Sequence, residues 1–579
     1  MYKLKRSFLS IPRQRLISIG LCLVALVLLA TVSGQEQKSA SYNAAMQYLQ
    51  ERGEVILRFA KPSGYSIDYL TTILSIDKFH HDTVTAYANK TGFSKFLLLK
   101  IPFEVLQPTS LKTGLSIPSA KKTGDWRDHY PTYPEYINLM EGFAADYPGL
   151  CRLTQFGTSI NGHKLLALKI SDNPGEQEIE PVLLYSSTIH GNETLGYALM
   201  LRLIDHLLTN YETSVAVKHL VDNMEIWINP LANPDGSYYI SDTTLAGATR
   251  FNANHTDLNR DFPDPRDYKW ADVHREPETQ AMMDFMTDIR LVLAANFHGG
   301  AEVVNYPWDT WAHLHADDQW YRYISRHYAD TAQSYGPQGY MTDLDNGITN
   351  GYAWYALYGG RQDYTNYFLH AREVTIELSE EDMPAEDKLD DFWNYNKNSL
   401  LQYAGQALTG ITGVVTDSVS GKPVAADIRI ENHDDDNSYA LSSSGDGIYY
   451  RLIGSGDYKL RVSAPDYLTK NSTLRVSEGE LTQHDVQLIP LIKALYPNPF
   501  SDVLYIYIFR PGDDLHLEFF DLSGRKVRHI IQPVAYTGKQ TVDVRGLASG
   551  IYVVRINYGN ETWKQLVVRN NISYDKQTN

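Results

Sequence analysis

The chain has 579 residues and a mass of 65.7 kDa, too long for one small module and enough for about three to five domains. With 43% hydrophobic and 21% charged residues it can build packed cores, and a formal charge of −17 argues against a general affinity for nucleic-acid backbones. Only Cys22 and Cys151 occur, which excludes a disulfide framework and a cysteine-rich metal site, so any zinc would need His and carboxylate ligands.

Residues 1–34 read as a secretory signal: Lys3, Lys5, Arg6, Arg13 and Arg15 precede the mostly apolar run 16–32, and Val32-Ser33-Gly34 offers small residues for cleavage. Its removal takes five basic residues and no acidic one, moves the charge from −17 to −22, leaves Cys151 as the single cysteine, and leaves no stable membrane span. A secreted chain without disulfides suits a bacterial envelope. Residues 36–122 mix strand-like and helical patterns, such as Val55–Phe59 and Phe96–Ile101, and end in a Ser/Thr/Lys/Gly stretch that reads as a linker.

Residues 123–408 alternate helical stretches with apolar runs at Val182–Tyr185, Met224–Ile228, Leu291–Ala295 and Val374–Ile376, the pattern of an α/β domain around a largely buried sheet. From about residue 409 short alternating segments separated by turn clusters predict a small β-sandwich to residue 491, and a second all-β unit spans 492–571. The expected fold class is therefore multidomain: an α/β domain with a mixed sheet flanked by helices, followed by two small all-β sandwich domains. Neither C-terminal unit gathers a catalytic cluster, and the acid run Asp434–Asp436 reads as a solvated loop.

Chemistry concentrates in the α/β domain. His190 and Glu193 flank one tight strand-to-helix turn, so an imidazole and a carboxylate could reach one metal ion; a surface histidine beside an acid at a helix N-terminus is the other reading. A later strand ends in Asn296-Phe297-His298-Gly299-Gly300, at the mouth of the same kind of sheet, where α/β folds gather ligands. Two His and one Glu leave a fourth position open for water, as catalytic rather than structural zinc sites do. Such a water still needs a base, because its pKa falls only to about 7. Glu377, in a strand with apolar neighbours that would desolvate a carboxylate, is the candidate, with an outward-facing strand glutamate as the alternative. Arg250 and Arg260 lie close to Asn259 and suit a substrate carrying a carboxylate, as a peptide C-terminus does; a loop of surface ion pairs would look similar.

His190-x-x-Glu193, Arg250, Asn259-Arg260, His298, Tyr355 and Glu377, in that order, resemble the zinc metallocarboxypeptidases. The phrases Asn233-Pro234-Asp235-Gly236, Asp257–Pro263 and His298-Gly299-Gly300 with Val303–Pro307 point to the carboxypeptidase N/E/D-like branch, over Trp126 to Gln406. The resemblance implies one zinc ion per catalytic domain on His190, Glu193 and His298, with Glu377 as general base and proton shuttle. It implies that Arg250 polarises the scissile carbonyl, that Asn259 and Arg260 hold the terminal carboxylate, and that Tyr355 closes over it. Asp309 and Gln362 occupy the positions that face a C-terminal Lys or Arg in the basic-specific branch, and a buried carboxylate there would discriminate against apolar side chains. Arg361 departs from the branch phrase and would oppose basic substrates if it turned into that pocket. Residues 411–488 resemble the transthyretin-like or regulatory-like sandwich of this branch, and residues 496–552 the C-terminal sorting domain of type IX secretion, which implies export across the outer membrane by that machinery to the surface or the medium. Residues 36–122 sit where some family members keep a prodomain.

The implied partners are peptide or protein C-termini, with no nucleic acid. Two alternatives remain open on these grounds: a catalytically silent surface-binding protein, and a zinc peptidase for cell-wall peptides or C-terminal glutamates. The retention of His190, Glu193, His298 and Glu377 favours activity, and Asn259-Arg260 favours an exopeptidase.

Overall fold

A computed structural model describes residues 40–80, 82–111, 125–266, 274–418, 420–490, 495–508, 512–536 and 538–570. The expected signal segment 1–34 and most of the expected linker, 112–124, lie outside them. The first unit packs a helix over 40–52 and a helix Lys90–Leu98 against a sheet of order β2-β3-β1-β4, with β1 at Glu54–Ala60, β2 at Ser75–His80, β3 at Thr83–Asn89 and β4 at Glu104–Leu106. Asn89 caps the second helix by accepting from the Gly92 amide. Leu57, Phe59, Ile76, Val84, Phe93 and Phe96 form its core. β2 is an edge strand of this sheet, and that edge meets the next domain.

The central unit is an eight-stranded mixed sheet of order β11-β10-β12-β9-β7-β8-β6-β5. Its strands are β5 (Cys151–Thr158), β6 (Lys164–Ile170), β7 (Val182–Ser187), β8 (Glu225–Asn229), β9 (Leu293–His298), β10 (Ala301–Tyr306), β11 (Ile348–Asn350) and β12 (Arg372–Ser379). β8, β7, β9 and β12 run parallel and are buried along their whole length, which explains their near-continuous apolar sequence. Successive residues of β7 point to opposite faces: Leu183 and Tyr185 enter the core under the helices Tyr133–Asp146, Leu195–Asn210, Asp318–Tyr335 and Leu389–Ala404, while Val182 and Leu184 join Met282, Phe285 and Tyr364 from the helices on the other face. A capping box, Thr132 with Glu135, starts the first of these helices.

Two β units follow. The strands from Gly410–Asp417 to Val486–Leu488 form two sheets around Ile411, Ile428, Tyr449, Leu460 and Val486. The strands from Val503–Ile508 to Glu561–Arg569 enclose Leu504, Leu517, Val554 and Val567. The fold class is the expected one. The acid run at Asp434 is a correction: its carboxylate is fully shielded and accepts from Arg451, which also forks onto Asp317 at 2.9 and 2.8 Å. Asp317 takes a further bond from Arg372 at 2.9 Å, so the acid belongs to a buried network joining the α/β unit to the sandwich. Sequence alone could not pair residues more than a hundred positions apart. Among the described residues no helix is long and apolar enough to cross a membrane.

Candidate metal centre and substrate cleft

The carboxyl ends of the parallel strands open onto one crevice. β7 runs into the turn that carries His190 and Glu193, with Thr188 at φ 63°, and the helix Leu195–Asn210 follows. Gly191 has no room for a side chain, since a Cβ there would lie 2.3 Å from the Gly236 backbone; the Asn233–Gly236 phrase is what closes this turn. His298 ends β9, and Glu377 is its direct partner across the β9/β12 ladder, so both side chains leave the same face side by side.

His190 Nδ1 lies 2.8 Å from Glu193 Oε1, His298 Nδ1 lies 2.8 Å from Glu193 Oε2, and the two Nδ1 atoms are 3.1 Å apart. The three ligand atoms fall within 4.8 Å of one another. Two ring nitrogens aimed at each other and at one carboxylate form a poor hydrogen-bond set but a good donor set for a divalent cation, so the residues present fit zinc. The outer ring nitrogens agree. His190 Nε2 is 3.1 Å from Asp257 Oδ1, which favours a proton there and a free lone pair on Nδ1. His298 Nε2 is 2.8 Å from Asn296 Nδ2, and Asn296 Oδ1 is without a partner; exchanging the two amide atoms would let Oδ1 accept from Nε2–H and leave the Nδ1 lone pair free. Burial lowers His298 to about 4, keeping it neutral as a metal ligand must be. Glu377 is buried with Oε2 unpartnered, and burial together with the Glu193 and Asp77 carboxylates pushes it well above the usual carboxylate range.

Arg250 Nη1 donates to Glu193 (2.8 Å) and to Asp77 (3.1 Å), and its Nε donates to Ser75 Oγ (2.9 Å). Asn259 is held by its own N–H on Asp257 Oδ1 (2.9 Å) and by accepting from the Arg361 amide (3.0 Å). Arg260 donates to the Asn259 carbonyl (3.0 Å) and to the carbonyl of Ile76 (3.4 Å). Tyr355 packs against the core of the N-terminal unit. Burial pushes its hydroxyl up, with Arg260 and Glu377 among the charges that act on it. Asp309 and Gln362 meet in one buried pair, Gln362 Nε2 donating to Asp309 Oδ1 at 3.0 Å alongside Asn305 at 3.1 Å. Burial raises Asp309 to about 7. Arg361 directs its Nε to Glu373 (2.9 Å).

These contacts bring the candidate site residues near one another, together with several that the sequence did not single out. Asp257 orients His190 and Asn259, and Asp363 holds the amides of Asp309 (3.1 Å) and Thr310 (2.8 Å); both stand beside residues already noted, which was the available signal. The contributions of the N-terminal unit had no sequence signal. Ser75, Ile76 and Asp77 of β2 touch Arg250, Asp257 and Arg260, and Tyr87 of β3 accepts from Asn192 (3.0 Å) and donates to Asp382 (3.1 Å).

Residues 136–399 match the zinc carboxypeptidase family model, 410–489 the carboxypeptidase regulatory-like domain and 494–569 the secretion system C-terminal sorting domain. Carboxypeptidase M of Mus musculus is 35% identical over 363 residues, 60% of this chain and 81% of that protein. The carboxypeptidase N catalytic chain of Mus musculus is 32% identical over 63% of this chain and 87% of that protein. This chain belongs to the zinc carboxypeptidase family. As a metallocarboxypeptidase it is a hydrolase of peptides, and it also resembles carboxypeptidase SOL1 of Arabidopsis thaliana, 33% identical over 62% of this chain and 72% of that one. Among solved structures, carboxypeptidase A from Helicoverpa armigera aligns with a TM-score of 0.49 and 18% identity over 62% of this chain and 97% of that chain.

Proposed function

We propose that this metallocarboxypeptidase is exported, removes C-terminal Lys or Arg, and is made latent by its own N-terminal unit. His190, Glu193 and His298 would hold the zinc, which supplies Lewis acidity when bound, polarising a carbonyl and acidifying a water molecule. Glu377 Oε2 takes the proton of the attacking water and passes it to the leaving amine; the strand register that sets Glu377 beside His298 supports this role. Arg250 donates to the oxygen on which negative charge develops. Asn259 and Arg260 fork onto the terminal carboxylate, and Tyr355 shields it from water.

The buried Asp309–Gln362 pair supports the preference for basic ends: burial raises the carboxyl to about 7 and so disfavours its charge, and an incoming ammonium or guanidinium stabilises the charged form. Arg361 beside this pair gives its Nε to Glu373, whose carboxylate offsets the arginine's charge.

Latency rests on β2. Ile76 sits at Arg260, Asp77 at Arg250 and Lys78 at Glu380, so this strand runs through the cleft from the carboxylate-binding end outward, opposite to a substrate. It occupies the binding groups without presenting a C-terminus. Removal of residues up to the linker would free them. The sorting domain, which would engage the outer-membrane secretion machinery, and the signal segment expected from the sequence support a secreted or surface location.

The observation that carries the specificity is the Asp309–Gln362 contact, and the test is hydrolysis of peptides ending in Arg, Lys, Phe or Glu by linker-cleaved protein, with and without chelator. Arg and Lys should be favoured, chelator should abolish turnover, and Asp309→Ala should cost about tenfold or more on Arg and Lys with a much smaller loss on Phe. Equal losses on both would remove the pocket assignment.

A further inference from the structure

The latent strand also reports the chemistry of the cleft beyond the zinc ligands. Lys78 Nζ donates to the Glu380 carbonyl (2.9 Å) and lies 3.4 Å from Glu380 Oε2. Its stem crosses Gly300, two residues past His298: a Cβ built on Gly300 would lie 3.6 Å from Lys78 Cε, 3.5 Å from Asp382 Oδ1 and 3.7 Å from Asp77 Oδ1. Asp382 is buried and takes bonds from Tyr87 Oη and Asn192 Nδ2 through Oδ2. Asp343 and Glu302 add further carboxylates beside Glu380, the Glu302 amide donating to Asp343 (3.0 Å). The ammonium of Lys78 pairs with Glu380 and feels the Asp77 and Asp382 charges, and that occupant separates the rim from an ordinary acidic surface. Although burial opposes its charge, Asp77, Glu380 and Asp382 hold Lys78 above its ordinary value.

We infer that Glu380 and Asp382 form a subsite for a basic side chain lying upstream of the bond that is cut, and that Lys78 fills it in the latent chain. This rests on the proposed assignment of Asn259 and Arg260 to the terminal carboxylate, because that assignment makes the Arg250-to-Glu380 direction the upstream one. Along β2 the step from Asp77 to Lys78 moves from the catalytic arginine to the rim, so the subsite takes one of the two residues preceding the scissile bond. The substrate class is then peptides whose ends cluster Lys or Arg. Carboxylates at the mouth of an acidic molecule attract such ends and bind them in a salt-dependent way.

The test uses the zinc-loaded full chain, assayed before and after limited trypsin cleavage of the linker at Lys112, Lys121 or Lys122, with trypsin then inhibited. Substrates are acetyl-Ala-Ala-Ala-X, acetyl-Ala-Lys-Ala-X and acetyl-Ala-Ala-Lys-X, each with X as Arg and as Phe. One of the lysine peptides should show a KM about three- to tenfold below its alanine counterpart at unchanged kcat, an advantage that about 0.5 M salt erases. Glu380→Gln should collapse that ratio toward one; Glu380 is largely exposed, so folding is not at stake, and Asp382→Asn provides the second reading of the same ratio. Equal KM values for lysine and alanine peptides, or a ratio that survives both substitutions, overturns the subsite. A lysine advantage with Arg no better than Phe at X sinks the terminal preference and leaves the subsite standing; the reverse pattern sinks the subsite alone.

Discussion

Glu377 and His298 leave neighbouring strands at the same level of the sheet, and this pairing is what turns an ordinary strand glutamate into a candidate base. Burial, with the Glu193 and Asp77 carboxylates nearby, pushes its carboxyl well above the usual carboxylate range, and its Oε2 has no hydrogen-bond partner. A divalent ion on Glu193 and the departure of Asp77 would both lower it again. Glu377→Gln keeps the shape of the side chain and deletes its basicity. It should reduce kcat of the cleaved enzyme by about 10²–10⁴-fold while bound zinc, measured by atomic emission on the purified protein, stays at one ion per chain. Turnover close to wild type would remove Glu377 from the mechanism.

At the scale of an element, strand β2 is the segment proposed to close the cleft. Its sheet has its own core, and three successive residues at its edge spend their polar groups on Arg260, Arg250 and Glu380. Asp77 makes the deepest of these contacts, a nearly dry ion pair with Arg250 at 3.1 Å. Losing one partner of such a pair costs several kcal/mol because the other charge stays buried. In the latent chain Arg250 keeps Glu193 as a partner, so the penalty for Asp77→Ala falls mainly on docking of the strand. The intact chain carrying Asp77→Ala should therefore hydrolyse a C-terminal arginine peptide about tenfold faster or more than intact wild type, with gel electrophoresis verifying an uncut linker. Equal rates would show that something other than Asp77 seals the cleft.

At the scale of the whole molecule, a buried ion network joins the α/β unit to the first sandwich: Arg451 and Arg372 share Asp317, and Arg451 also takes Asp434. Despite burial, Arg451 and Arg372 hold Asp317 at about 2, below its unfolded value of about 3.9. The pair's stabilisation is thus present above about pH 4 and is lost as pH falls toward 2. Arg451→Met leaves two shielded carboxylates short of a cation and should lower stability at pH 7 by about 3–5 kcal/mol in urea unfolding of the full chain. The deficit should narrow as the pH drops below about 4, where the orphaned acids protonate. A deficit independent of pH would point to lost packing rather than lost charge.

Much of this could be read from residue order because it depends on local chemistry. Strand and helix periodicity, the His190-x-x-Glu193 turn, the His298 strand end and the Asp309 and Gln362 spacings are all short-range patterns, and the family resemblance rests on them. What sequence could not supply were pairings made only when distant segments meet. Nothing in Ser75-Ile76-Asp77-Lys78 marks a strand that enters a cleft built about a hundred or more residues later, since those side chains are ordinary until Arg250, Arg260 and Glu380 are brought against them. Asp434 looked like a solvated acid for the same reason: its partner Arg451 and the shared Asp317 are neighbours only in three dimensions. Local backbone preference and side-chain type are properties of a stretch of chain, whereas burial, and with it the strength of every charge in the cleft, exists only once the domains have packed.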